Sequence, residues 1–583
     1  RNGPWLAENG DPGRTLTLED IGANLVRVTC TGSAWTHFKP QHVGALLLIR
    51  PPGGYPGLRT WAPNVVKAAG EAVISVGRAY QTIAGGTTGN TPPNHESGTV
   101  SDGGVEWTFV HDGATVFAID SFVSATEVIT IPLGTPPMNL TTGPVATANW
   151  SDQAFSGVEG WPTALAAVRE ERLVLAGTPQ RPDVVEFTRT AGFDVEYADW
   201  KPGLGTGLVV DDDGCRVRLG EERARVVWMV NTINLIVGTT EAEWIIAGAT
   251  LDDAITPAGA KERRVSAYGS DDVMPVVVQG PPPSLLFVAR GGTTYRELTL
   301  GPVGDGDSNG RDLSILAQHI FGVGVKDHAW VRPDNQAWLL LKDNTLACLT
   351  YHREHGVLGA RRQPLPEGWF AESLCAVPDV NGQDQLHVAA VRLKAGSPQR
   401  AHLQLARRTE GLFLDIAELY QGAATTTIGG LGHFEGEVVF ALADGAEVRD
   451  LTVASGQITL PHAASKVLVG RPLRRFFKSL PFDPERDGRP IAKDSRPVAA
   501  YLSMKCVHAV VRAEPQDEPD DRYIPQDEVI QRRPEDAVPV LRRKRAKVTL
   551  GAGADKDVRV IVETDAPYDL QLFGLRCVYE TPR

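Results

Sequence analysis

The chain has 583 residues, 42% of them hydrophobic and 22% charged, with a formal net charge of −13. That balance excludes disorder over most of the length. The acidic excess excludes the basic profile of a sequence-specific DNA binder, while an acidic wall would still let DNA slide past without sticking.

Glycine (60) and proline (41) punctuate short apolar runs, which predicts a mainly all-β protein of several domains. The chain begins on Arg1 and not on Met, so a preceding segment is expected. The longest apolar runs, such as 45–49 and 285–289, are strand-sized and too short to span a membrane as a helix. The cysteines, Cys30, Cys215, Cys348, Cys375, Cys506 and Cys577, form no CxxC pair. They read as reduced, mostly buried thiols of a protein that folds in a cytoplasm.

In chain order, runs at 24–30, 115–119 and 128–132 predict strands of an N-terminal β-domain, built from 1–60 and 112–150. Between them lies 61–111, with its own aromatic set and an Asp-Gly turn at 102–103, which predicts a small inserted β-module. Its aromatics Trp61, Tyr80 and Trp107, with Phe109, have two readings: the core of a very small domain, or a platform that contacts a glycan or a partner.

From 151 to 475, apolar strands recur at 172–176, 235–239, 285–290, 337–341, 385–393 and 437–442, most of them bounded by turn residues. Strand–turn–strand units such as 234–248, 284–300 and 336–351 repeat in style without repeating in sequence. An irregular β-propeller-like platform would give that spacing, and a pair of β-sandwiches is the structural alternative. One helix is predicted at 312–321, capped by Asp312 or Ser314. Residues 476–583 form a C-terminal β-region interrupted by a charged, Pro-rich arm at 512–540.

Catalytic patterns fail on context. There is no Walker A loop, and His352-Arg353-Glu354-His355 has the wrong spacing for a zincin helix. The G-x-S-x-G string at 306–310 lacks an apolar strand running into it. The half calcium loop at Asp305, Asp307 and Asn309 has Leu316 where a bidentate Glu belongs. Asp211, Asp212, Asp213 and Gly214 read as a turn cluster. No carboxylate pair is nominated for glycoside hydrolysis. The expectation is therefore a chain that is not an enzyme, with no cofactor and no required metal. The basic run Arg542, Arg543, Lys544 and Arg545, with Lys547, reads as a solvated strand face, as a subunit or partner contact with an acidic arm such as 514–521, or as a phosphate contact.

Several strings resemble a known family. They are WSDQAF at 150–155 followed by Gly160-Trp161-Pro162, ERLVLAGTPQRP at 171–182, GTTEAEWIIAG at 238–248, SLLFVARGGTTYREL at 284–298, DLSILAQH at 312–319, and the segment 429–458, where Phe434 stands for a Leu. Together they resemble the nozzle, or tail tubular B-like, proteins of short-tailed bacteriophages over roughly 150–475. The resemblance implies a virion protein made in the bacterial host cytoplasm. It implies a ring, typically of six copies, below a tail adaptor and around the DNA exit channel. Such a ring carries fibres or spikes, retains packaged double-stranded DNA without sequence specificity, and opens for ejection. The motifs are strand-and-turn signatures and transfer no active-site residues. Modules like 61–111 resemble small carbohydrate-binding-type modules of phage appendages. A glycan-binding or glycan-degrading tail appendage is the second functional expectation.

Overall fold

In the computed structural model, the residues described are all except 1–3, 10, 33–34, 52–58, 76–77, 96–97, 135, 137, 191–199, 201–210, 221–222, 233, 251–252, 280–282, 300–310, 367, 395, 408–409, 481–484, 487–488, 491–495, 515–541, 550–558 and 581–583. The chain divides into two compact units, Arg1–His328 and Ala329–Arg583, the division falling within the strand Val325–Val331. The described residues are nearly all β. The fold is an irregular, propeller-like series of sheets with additional β-domains and a small inserted β-module.

The first unit opens with a seven-stranded sheet. Its inward side chains alternate along each strand, as a one-sided sheet requires: Leu16 and Leu18, Val26 and Val28, Leu47 and Ile49, Phe117 and Ile119. The strands Leu46–Ile49 and Thr115–Ser124 are neighbours, with Thr115 opposite Ile49. Between those two paired residues the chain departs and builds a separate five-stranded sheet from Arg59–Thr60, Ala72–Ser75, Arg78–Thr82, Thr99–Asp102 and Val105–Asp112. The hairpin Asp102–Val105 turns on Gly103 at φ +63°, where a Cβ would press on Thr87 O at 2.8 Å, so glycine is required there for both conformation and space.

Three antiparallel meanders follow, over Ala164–Arg169 to Cys215–Arg218, Val226–Asn231 to Lys261–Ser266, and Val276–Val278 to Arg311–Asp312. Successive strands are neighbours throughout, which is the strand order of propeller blades. The predicted helix at 312–321 is largely absent. Asp312 Oδ1 accepts the amide (2.8 Å) and the hydroxyl (2.7 Å) of Ser314, which makes a local turn, and only Gln318–Phe321 is helical. A side chain that caps its own turn competes with helix initiation.

In the second unit, Gln336–Leu341, Leu346–His352 and Val357–Gln363 run as antiparallel neighbours, and Trp369–Pro378, Asp384–Lys394 and Ser397–Gln404 form a further meander. A four-stranded sheet with long strands Leu414–Ile428 and Ile458–Pro472 comes next. Its hairpin Val438–Ala443 to Ala446–Thr452 closes on Asp444-Gly445, both at positive φ, as a two-residue primed turn needs. The C-terminal region is two three-stranded sheets sharing one core of Leu502, Met504, Cys506, Val511, Val548 and Val562. The first residues of the predicted arm, Arg512–Glu514, end the strand Val510–Glu514, and 515–540 lies outside the described residues.

Candidate functional site

The conspicuous sequence motifs are structural in their chemistry. Arg172 is fully buried, and its guanidinium donates to three backbone carbonyls, Thr188 (2.8 Å), Asp213 (2.5 Å) and Asp211 (2.8 Å). The Asp211–Gly214 cluster is thus a turn gripped from beneath through its main chain. Gly238 has no room for a Cβ because the Trp228 ring packs across it. Each of the three meanders in the first unit carries a buried glutamate in its third strand: Glu186, Glu243 and Glu297. Glu243 accepts the hydroxyls of Ser270 (2.7 Å) and Ser266. Glu186 faces Arg216 (2.7 Å) and Arg181 (3.3 Å), and burial still pushes its carboxyl above the usual range. The sequence reading missed this recurrence. Its only trace is a Glu inside an apolar third strand, in VVEF, AEWI and YREL.

A second buried polar pair ties the third meander, through Tyr295, to His328 on the strand Val325–Val331. Tyr295 donates its hydroxyl proton to His328 Nδ1 (2.7 Å), and His328 Nε2 donates to Met274 O (2.6 Å). Burial pushes the imidazole down to about 4 and the phenol upward, so both groups are neutral at pH 7.

In the inserted module the two readings of the aromatics separate. Tyr80 and Trp107 are completely enclosed with Val73 and Val105, so they cannot stack on a ligand; that part of the contact expectation is corrected in favour of core. Trp61 and Phe109 are half-buried. Asp102, nearly buried, accepts the indole N–H of Trp61 (2.9 Å) and of Trp107 (3.4 Å), which fixes both rings from inside.

The half calcium loop and the G-x-S-x-G string lie outside the described residues. His37, His42 and Asp152 bring potential ligand atoms within 4.8 Å of one another beside a cavity of about 210 Å³. His42 Nδ1 accepts the Lys39 amide (2.9 Å), which leaves the proton on Nε2, and His37 Nε2 already bonds Asp152 Oδ1 (3.0 Å). This donor set is a hydrogen-bonded group, and a metal would have to displace the Lys39 contact to use both imidazoles.

The most exposed chemistry lies on the C-terminal sheet of Arg542–Thr549, Arg496–Cys506 and Gln571–Glu580. Leu502, Met504 and Cys506 point to the core, and alternation turns Tyr501, Ser503 and Lys505 outward. Pairing places Arg543 opposite Lys505, Arg545 opposite Ser503, and Lys547 and Arg576 on either side of Tyr501. Arg543 lies over the Phe573 ring at 4.6 Å, and Lys547 over Tyr501 at 5.7 Å. A groove of about 460 Å³ crosses this face, lined by Tyr501, Arg545, Lys547 and Arg576. The side chains of Arg542 and Lys544 lie outside the described residues.

No known family model and no curated protein matches the chain. Among solved structures, it is similar to the β-propeller domain of Myceliophteria thermophila Cps50 (Swd1), at 9% identity and a TM-score of 0.24 over 50% of this chain and 84% of that one. It is similar to the periplasmic gluconolactonase of Pseudomonas aeruginosa, at 13% identity and 0.26 over 67% and 95%. It is also similar to the exo-beta-1,3-galactanase of Phanerochaete chrysosporium, at 11% identity and 0.18 over 91% and 100%. The expectation that the chain is not an enzyme is not borne out: structures matched over 91% of its length are of an exo-beta-1,3-galactanase, at a likeness too low to transfer an activity to this chain. At this level of likeness no substrate is transferred.

Proposed function

We propose that this chain is a structural subunit of a short-tailed phage tail, of the nozzle type, which assembles as a ring with a tail adaptor above and fibres or spikes outside, and through which genomic DNA passes. The observation that carries the reading is the use made of the motif residues. Arg172, Gly238 and Glu243 are spent on holding blade turns and strands together, which is what a platform needs. Identical subunits with dissimilar side surfaces close into a ring when each presents its two faces head to tail. The test is cryo-electron microscopy of the purified chain mixed with its tail adaptor, together with antibody labelling of virions. Rings of six copies and label at the tail support the reading. A monomer that ignores the adaptor, with no label on virions, overturns it.

A second reading, a glycan-binding or glycan-degrading appendage, is favoured by the module folded around its own core between two paired strands. Trp61 and Phe109 are the rings left partly open for a sugar. Titration of host surface polysaccharide against the chain and its Trp61→Ala variant tests binding, and release of reducing sugar tests turnover.

A further inference from the structure

We propose that the outer face of the C-terminal sheet is a contact surface for the phosphate backbone of double-stranded DNA, made by Lys505, Arg543, Arg545, Lys547 and Arg576. This deepens the proposed conduit role and rests on it only for which DNA is met.

Four observations converge. The first is concentration of charge: a chain of net charge −13 gathers five cations on one small sheet face. Among the described residues, none of the five has an ion pair. The second is frustration: Lys505 stands directly opposite Arg543, and like charges in that position repel. A bound polyanion removes that cost.

The third is spacing. Arg543, Arg545 and Lys547 alternate along one strand, so they recur about every 7 Å. A DNA strand carries one phosphate per roughly 3.4 Å of axis on a path that winds around it, so a regular row of cations can lie along the phosphates of a strand. The fourth is the state of the aromatic rings. Phe573 and Tyr501 are 52% and 43% exposed, yet Arg543 and Lys547 lie over their faces. The rings hold the cations in place and are not free as platforms for unstacked bases, which favours a duplex backbone over a single strand.

The competing occupant is an acidic protein segment, and the chain has one of its own: between 514 and 521 lie Glu514, Asp517, Glu518, Asp520 and Asp521. The experiment separates the two. Fluorescence anisotropy of a labelled duplex is followed with the full chain from low to high salt, for wild type, Arg545→Gln, and the double variant Arg545→Gln with Lys547→Gln. These side chains are exposed, and circular dichroism verifies that the variants fold. Wild type should bind with a log–log salt slope of about −3.6 to −4.5, for four or five phosphate contacts. Each neutralisation should shallow that slope by about 1 and weaken binding several-fold at low salt.

No binding at low salt, or binding that ignores both variants, overturns the proposal. A tenfold preference for single-stranded probe overturns the backbone assignment. Binding that emerges only after deletion of 515–541 assigns the face to the acidic segment and also overturns it. Failure of ring assembly with intact duplex binding would remove the nozzle reading and leave this surface standing.

Discussion

Acidification should loosen the third meander through His328. The imidazole is buried and neutral, with both nitrogens satisfied by Tyr295 and Met274, and its folded value is about 4 against 6.5 when exposed. Between those two values the unfolded state binds more protons than the folded one, so stability falls as pH falls. From pH 7 to 4.5 the loss is about 2 kcal/mol, at 1.36 kcal/mol per unit with partial titration at each end. Hydrogen exchange of peptides covering Ser284–Val288 and Tyr295–Thr299, corrected for intrinsic rates, reads that loss as a drop in protection of roughly 30-fold. In His328→Gln an amide replaces the imidazole and does not titrate in this range, so its protection should be lower at pH 7 but flat across the window. Equal pH slopes for wild type and variant would refute the reasoning, because the proton sensitivity would then come from groups elsewhere.

Arg172→Lys should destabilise by about 3 kcal/mol in urea unfolding, since one ammonium cannot reach the three carbonyls that the guanidinium fork serves. Gly238→Ala should cost about 1–3 kcal/mol by overpacking against Trp228, and pairing it with Trp228→Phe should recover part of the loss. Trp107→Ala should remove about 3–5 kcal/mol from the small core with Tyr80, so that limited proteolysis cuts within 61–111 while the remaining sheets keep their protection. Cleavage spread evenly along the chain would show that the module does not open separately.

Local chemistry made much of the fold legible. Strands at 172–176 and 235–239 could be read residue for residue, because apolar alternation and turn residues act over neighbours in sequence. The positive-φ turn at Gly103 announced itself in the same way. The helix expected at 312–321 was decided differently, by Asp312 folding back on Ser314. Other features exist only because distant segments meet. Trp61 and Trp107 share Asp102 across the module, so a set of aromatics that could have been a platform became mostly core. Burial drives His328 neutral, and nothing within a few residues of it in sequence signals this. The run at 542–547 was visible as charge alone. Strand pairing decided that Lys505 and Arg576 join it, that aromatic rings lie beneath two of its cations, and that these charges share one outward face. A sequence fixes which side chains alternate along a strand. Which strand lies beside it, and therefore which charges must coexist, is set by long-range pairing that local periodicity does not encode.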